Sequence, residues 1–425
     1  MSLRESARAL KRRVRARPPF DVQSRAVVTL ADILAAQERL RGRVLLSPCA
    51  EAHGLSERTG GRVALKLENL QRTGSFKERG ACNKLSLLTA EERARGVVAS
   101  SAGNHAQGVA MHAHLLGITA TIVMPTTTPF VKVDNTRKWG ATVVLKGESY
   151  AEAFAEAQCI RLAEGRVFVH PFDDADVIAG QGTLGLEIVE QRPDVELVVV
   201  CLGGGGLAAG VLTAIRAKAP RARVVGVQTA AMPSMQRSLA AGAPVSVPPA
   251  RTLAEGIAVS TPGTLTFEAL YKVIDDVVTV TEEEIAAAIL FLLEREKTVA
   301  EGAGAAAAAA LLAGKVDARG KSVVATVSGG NIDVNMLARV IERGLVSSGR
   351  LLRLTVSLPD APGALARLAA LLGDEGANIL EIVHQRAFAE TSWPEVSVDI
   401  VLELRGADHA GRVRGRLASE SYRFH

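Results

Sequence analysis

The stretch Thr73-Gly74-Ser75-Phe76-Lys77-Glu78-Arg79-Gly80-Ala81 places a lysine where a turn becomes a helix. Gly74 permits a tight turn, and Ser75 with Glu78 three residues on has the form of an N-cap and its reciprocal acid. Lys77 then falls in the first helical turn, where the helix terminus is already partially positive and a structural cation gains little. The same field lowers a lysine's pKa, and a neutral amine is the nucleophile that forms Schiff bases. A single lysine of this kind is ordinarily a surface residue, so its meaning rests on what surrounds it.

Working outward, Val63–Leu67 reads as a strand that delivers the chain to this loop, and a helix is expected from Phe76 to Leu88. A second β-run, Gly96 to Ser101, ends in Ala102-Gly103-Asn104-His105-Ala106-Gln107-Gly108 and a helix through Leu116. Strands at 119–124, 142–145 and 166–169 alternate with helices at 132–139 and 150–163. Later, Gly182–Gln191 is helical, and Leu197–Leu202 is an apolar strand running into Gly203-Gly204-Gly205-Gly206-Leu207. The alanine run at 303–312 reads as a tightly packed helix. Strand Ser322–Val327 ends in Ser328-Gly329-Gly330-Asn331. This alternation predicts parallel sheets covered on both faces, an α/β fold. Ligands in such sheets bind at the C-terminal ends of strands, where Ser101–Gln107, Gly203–Leu207 and Ser328–Asn331 all lie.

Four consecutive glycines before a helix bare successive N–H groups and suit a phosphate; otherwise they are merely a flexible turn. They lack the Gly-Lys-Ser/Thr ending that would imply a magnesium nucleotide. Ser101, Gly103, Asn104 and His105 offer donors at a helix start, suited to a substrate carboxylate. His105 alone is more often structural, and Ser328 alone reads equally well as a helix cap.

The 425 residues, 48% apolar and 4% aromatic, suit two or three domains with large cores. The net charge of +5 is concentrated at the front: residues 1–25 hold eight Lys or Arg against Glu5 and Asp21, a net of +6. The remainder is near −1, so the body carries no overall positive field for nucleic acid. Residues 1–25 read as a basic disordered leader without the apolar core of a secretory signal. Cys49, Cys82, Cys159 and Cys201 form no CxxC pair and read as buried reduced thiols in a cytoplasmic protein. No run approaches the ~18 apolar residues that suggest a membrane span. After Ser347-Ser348-Gly349 the order becomes βαββαβ, a ferredoxin-like module.

Lys77 in Ser-Phe-Lys, the Ser-Ala-Gly-Asn-His loop, the tetraglycine loop and Ser-Gly-Gly-Asn follow one another in family order. With Val177-Ile-Ala-Gly-Gln-Gly-Thr183 they resemble the threonine/serine dehydratase branch of the fold-type II pyridoxal-phosphate enzymes, over roughly residues 26–345. Leu358-Pro-Asp-Ala-Pro-Gly-Ala-Leu365 and Gly376-Ala-Asn-Ile379 resemble an ACT domain, a small module that binds amino acids.

The resemblance implies two doubly wound open-sheet subdomains within 26–346, the smaller at about 65–155, and an ACT domain at 350–425. It implies pyridoxal 5′-phosphate linked to Lys77, Phe76 beside the ring and Asn104 at the ring oxygen. Gly203, Gly204, Gly205, Gly206 and Leu207 would hold the phosphate, and Ser328 would face the ring nitrogen. Ser101, Gly103, Asn104 and His105 would orient the carboxylate of an amino-acid substrate. Asp360, Pro362, Gly363, Asn378 and Ile379 would take an amino-acid effector, isoleucine or valine being reasonable, across a subunit interface of a homodimer or homotetramer. Threonine would give 2-oxobutanoate and serine pyruvate.

Related serine racemases carry a second serine base where this chain has Ala102, which argues against racemisation. Gln228, Met232 and Ser234 replace their divalent-metal ligands, so no tight magnesium or calcium site is expected, and a monovalent ion stays open. Glu255 stands where an Asp is usual. The rivals are serine racemase, a β-replacement synthase, a hydroxyaspartate dehydratase, and a non-catalytic amino-acid sensor.

Overall fold

Branched apolar runs build the strands, and their burial fixes the layering. The computed structural model describes residues 27–385 and 395–425. The expected leader, residues 1–25, and residues 386–394 within the expected βαββαβ module lie outside the described residues. The strands are β1 (Cys49–Glu51), β2 (Arg62–Leu67), β3 (Val97–Ser100), β4 (Ala120–Met124), β5 (Thr142–Leu145), β6 (Val167–Phe168), β7 (Leu197–Cys201), β8 (Arg223–Thr229), β9 (Asp276–Val280) and β10 (Ser322–Val327). Four more follow: β11 (Leu351–Pro359), β12 (Asn378–Gln385), β13 (Glu395–Glu403) and β14 (Arg423–Phe424). Every residue of β7 and β10 is buried, which requires cover on both faces of the sheet.

The larger sheet has the order β1-β2-β10-β7-β8-β9. It is parallel except for β1, an antiparallel edge strand that the sequence reading misses. A second sheet, β5-β4-β3-β6, is wholly parallel. The fold class is therefore α/β with two open sheets, as the alternation predicts.

Two local expectations need correction. The lysine helix runs Lys77–Ser86 with Phe76 at its N-cap, and no side chain caps it. Ser75 Oγ is buried without a partner, while Glu78 accepts from the Thr73 N–H instead. The expected cap fails because the Ser75 backbone is engaged in a β-bridge with Gly329. The helix expected from Gly182 begins at Ala175, where Asp174 caps it by accepting from the N–H groups of Asp176 and Val177. Its glycines serve close packing. A Cβ on Gly180 would lie 2.6 Å from Arg79 O, and one on Gly182 would lie 2.6 Å from Ile33 Cδ1. Cys82 and Cys201 are buried free thiols as expected, but Cys159 is exposed and Cys49 half-buried.

Residues 351–424 form a separate antiparallel sheet, β12-β13-β11-β14, with helices Ala364–Asp374 and Ala407–Ser419. The order βαββαβ and this strand arrangement are ferredoxin-like. Leu354, Val356, Leu368, Val398, Leu402 and Leu417 give it a hydrophobic core of its own.

Candidate active site

Three neighbouring parallel strands deliver the site. At their C-terminal ends, β2 leads into the lysine loop, β10 into Ser328 and β7 into the tetraglycine turn. β2 and β10 end in register, with Leu67 opposite Val327. The two following loops are laced together: Phe76 N–H donates to Ser328 O (3.0 Å) and Gly330 N–H donates to Gly74 O (2.9 Å). Residues 77 and 328 are thereby fixed side by side. Lys77 Nζ lies 5.2 Å from the Phe76 ring centroid and donates to Pro171 O at 2.6 Å. Lys77 is half-buried, yet enclosure pushes its amine down to about 8, while Cys201 and Glu301 pull the other way. Burial, more than the helix terminus, keeps the amine available as a base.

Pro171 also ties Lys77 to the tetraglycine turn, because the next residue, Phe172, lies against that turn. A side chain on Gly204 would collide with the Phe172 ring, and a Cβ on Gly206 would fall 2.9 Å from Phe172 O. A Cβ on Gly203 would sit 2.9 Å from Ile257 Cα, and Gly205 has φ +100° with Thr266 Cβ 2.7 Å from its Cβ position. Thr266 Oγ1 donates to Gly204 O at 2.6 Å. The turn is thus a packed structure that only glycine fits, not a loose connection. It opens helix Gly206–Lys218, whose first N–H groups have no intrahelical acceptor. Bare N–H groups at a helix start beside an amine of lowered pKa fit pyridoxal phosphate, which carries a phosphate and an aldehyde.

The fourth loop comes from β3 in the other sheet. Ser101 Oγ accepts from Gly103 N–H at 3.2 Å, and the space a Gly103 Cβ would enter is open. Asn104 starts helix Asn104–Leu115 and meets the large sheet: its Nδ2 donates to Glu301 Oε1 (2.7 Å), and its Oδ1 accepts from Asn331 Nδ2 (2.7 Å). The His105 ring is turned away from that role, with Nε2 2.8 Å from Val169 O. Burial lowers its pKa to about 3, so the ring is a neutral anchor, and His105 can offer an anion only its backbone N–H. Ser328 Oγ accepts from Cys201 Sγ at 3.2 Å and lies 3.4 Å from Ala303 O. Burial pushes the Cys201 thiol up to about 11, which keeps it a donor.

Glu301 and Pro171 escape the sequence reading, and Cys201 enters it only as a buried thiol, not as a neighbour of Ser328. Glu301 had one available signal, a lone acid in the apolar run Val299-Ala300-Glu301-Gly302-Ala303. Gln228 Oε1 accepts from Gln236 N–H at 2.8 Å, and among the described residues no group of three or more His, Cys, Asp or Glu is placed to hold a metal. No helix among the described residues is long and apolar enough to cross a membrane.

In the C-terminal module a cleft of about 270 Å³ is lined by Asp360, Pro362, Gly363, His384 and Val396, among others. Asn378 and Ile379 do not join it within one chain. Leu351 and Asn378 both pair with Glu403, whereas Pro359 pairs with Glu395 at the far end of β13. Asn378 Nδ2 instead donates to Glu403 Oε2 at 2.9 Å, and His384 is the β12 residue at the cleft.

Residues 41–329 match the family model described as pyridoxal-phosphate dependent enzyme. The chain is 51% identical over 396 residues to the L-threonine ammonia-lyase of Thermotoga maritima, covering 93% of this chain and 98% of that protein. It is 46% identical over 315 residues to the catabolic L-threonine dehydratase TdcB of Escherichia coli, covering 74% of this chain and 96% of that one. Among solved structures, the processed form of threonine deaminase isoform 2 from Solanum lycopersicum superposes with a TM-score of 0.70 at 40% identity, covering 74% of this chain and 86% of that one.

Proposed function

The chain belongs to the pyridoxal-phosphate-dependent enzymes, in their threonine/serine dehydratase branch, and from that membership we propose that it eliminates water from L-threonine, and from L-serine, releasing ammonia and a 2-oxo acid. The observation that carries this reading is the meeting of the lysine loop, Ser328 and the tetraglycine turn at one cleft, with the Lys77 amine brought to about 8.

When bound, pyridoxal phosphate supplies a sink for negative charge developing at the substrate's α-carbon. The N–H groups of Gly203, Gly204, Gly205, Gly206 and Leu207 would hold its phosphate. Asn104 would face the ring oxygen, and Phe76 would lie beside the ring. Ser328 would offer the ring nitrogen a neutral hydroxyl where an acid would hold a pyridinium, which would favour elimination over transamination. Ser101, Gly103, Asn104 and the His105 N–H hold the substrate carboxylate. Lys77 Nζ takes the α-proton, and a base whose pKa lies near 8 is matched to neutral conditions. The β-hydroxyl takes up a proton and leaves as water; the released enamine tautomerises to an imine, and solvent water hydrolyses the imine to ammonia and 2-oxobutanoate from threonine or pyruvate from serine.

In this reading residues 26–346 are the catalytic unit and 350–425 an ACT regulatory domain. An amino-acid effector binds the cleft at Asp360, Pro362, Gly363 and His384, in a homodimer or homotetramer. Turnover is measured on L-threonine, L-serine and 3-hydroxyaspartate, with D-serine assayed alongside pyruvate. Oxo-acid formation from threonine is expected to exceed the others. Lys77→Ala should abolish both turnover and the bound chromophore, and a fully active alanine variant sinks the assignment.

A further inference from the structure

We infer that Glu301 is a positioning residue of the cofactor site, holding the Asn104 amide in the one orientation that points an N–H at the ring oxygen. The inference deepens the reading of the site given above and rests on it.

The argument is one of hydrogen-bond direction. Asn331 Nδ2 donates to Thr73 O (2.6 Å) and to Asn104 Oδ1 (2.7 Å). An amide nitrogen can only donate, so the Asn104 atom facing Asn331 must be the oxygen. Asn104 Nδ2 therefore faces the other way and gives one hydrogen to Glu301 Oε1 at 2.7 Å. One hydrogen on Nδ2 remains for a ligand. With its acceptor at residue 301 removed, the amide keeps only the bond to Asn331, and a half-buried N–H loses its partner.

Glu301 is placed for this and for little else. It occupies the N-cap position of helix Gly302–Leu312, yet its side chain caps nothing. That helix packs so closely on the Ser328 loop that a side chain on Gly304 would collide with Gly329 O. Glu301 N–H donates to Gly329 O at 3.1 Å, and a Cβ on Gly329 would lie 2.6 Å from Glu301 Oε1. The charged or titratable groups near it are Lys77, Lys132, Glu255 and Cys201. Burial, partly offset by the Asn104 bond, pushes its carboxyl up to about 7. Oε1 accepts whether or not the group carries a proton, so glutamine is a faithful substitute for the role.

The test uses the full-length protein and pyridoxine 5′-phosphate, which keeps the ring oxygen and phosphate but lacks the aldehyde. Its affinity, read by calorimetry, does not depend on a bond to Lys77. Glu301→Ala should weaken binding about ten-fold, and Glu301→Gln should stay within about three-fold of the wild type, a rescue that loss of a charge would not show. In an Asn104→Ala background, Glu301→Ala should add nothing, because the group it orients is gone. Additive losses, a glutamine variant as weak as alanine, or an alanine variant that binds as the wild type does would each overturn the inference. Borohydride reduction with pyridoxal phosphate, followed by peptide mapping, locates the site itself. Labelling at a residue other than Lys77 overturns the site reading and this inference together, whereas Lys77 labelling with failed rescue overturns this inference alone.

Discussion

At Lys77 the environment, not the residue type, sets the chemistry. Its amine falls from 10.5 to about 8 on burial. Between those values the native state binds fewer protons than the unfolded chain. The lysine's contribution to stability is therefore full above pH 10.5 and is lost as pH falls through about 8. The same shift predicts reactivity: the rate at which pyridoxal phosphate and borohydride label residue 77 should rise with a midpoint near pH 8. Peptide-resolved labelling across a pH series measures it, and a midpoint near 10.5, the ordinary lysine value, would remove the argument for a tuned base. The lysine was legible because its loop has a shape of its own, with Gly74 before it and a helix after it. Glu301 was not, because its meaning comes from Asn104, 197 residues away, and no local spacing encodes that contact. His105 sits in the same motif-like loop, and its ring is the structural anchor that a lone histidine more often is, spent on Val169.

The helix Lys77–Ser86 is held from beneath by a buried ionic cluster. Arg79 bonds Glu68 (Nε to Oε2, 2.7 Å) and Glu187 (Nη1 to Oε1, 2.6 Å), and Lys66 Nζ donates to Glu187 Oε2 at 2.5 Å and to Ser47 O at 2.6 Å. Two acids balance two bases, so the cluster is neutral and closely hydrogen-bonded. Burial works against the Glu68 carboxylate, but Arg79 beside it holds its pKa below the usual range. Burial lowers Lys66 despite Glu187, so that ammonium is the member most exposed to loss of its partner. Glu187→Ala leaves two buried cations facing one carboxylate and should destabilise the fold by about 3–5 kcal/mol, the cost of breaking a buried ion pair. Urea unfolding reads this directly, and a change below about 1 kcal/mol, the range of exposed pairs, would show that the cluster does not anchor the helix. Strands and most helices could be read from apolar runs, but this cluster could not. Glu187 lies on helix Ala175–Gln191, which starts seven residues before the expected Gly182, at the Asp174 cap.

Across the whole molecule, the proposed catalytic unit and the C-terminal module pack around separate cores. The core of residues 351–424 shares no member with the clusters that pack the two parallel sheets. What joins them is a narrow seam: helix Val334–Ser347 runs into β11, and Arg350 pairs with Glu294 at 2.8 Å. The βαββαβ order was legible from the change of pattern after residue 347, and so was the Asp360–Gly363 part of the cleft. Asn378 lies at the opposite end of the same small sheet from that cleft, so the two motif fragments do not meet within one chain. An effector bound at Asp360, Pro362, Gly363 and His384 can reach the lysine site only through that seam or through contacts between copies of the chain. Removing residues 350–425 should therefore leave threonine turnover within about three-fold of the full chain, because ΔΔG values for separated, uncoupled parts add to within a few tenths of a kcal/mol. The same deletion should erase inhibition by isoleucine or valine. The measurement is an initial-rate titration with each amino acid on both proteins. Inhibition that persists in the shortened chain would place the effector on the catalytic unit, and loss of all turnover in a folded truncation would mean that the seam itself supports the lysine site.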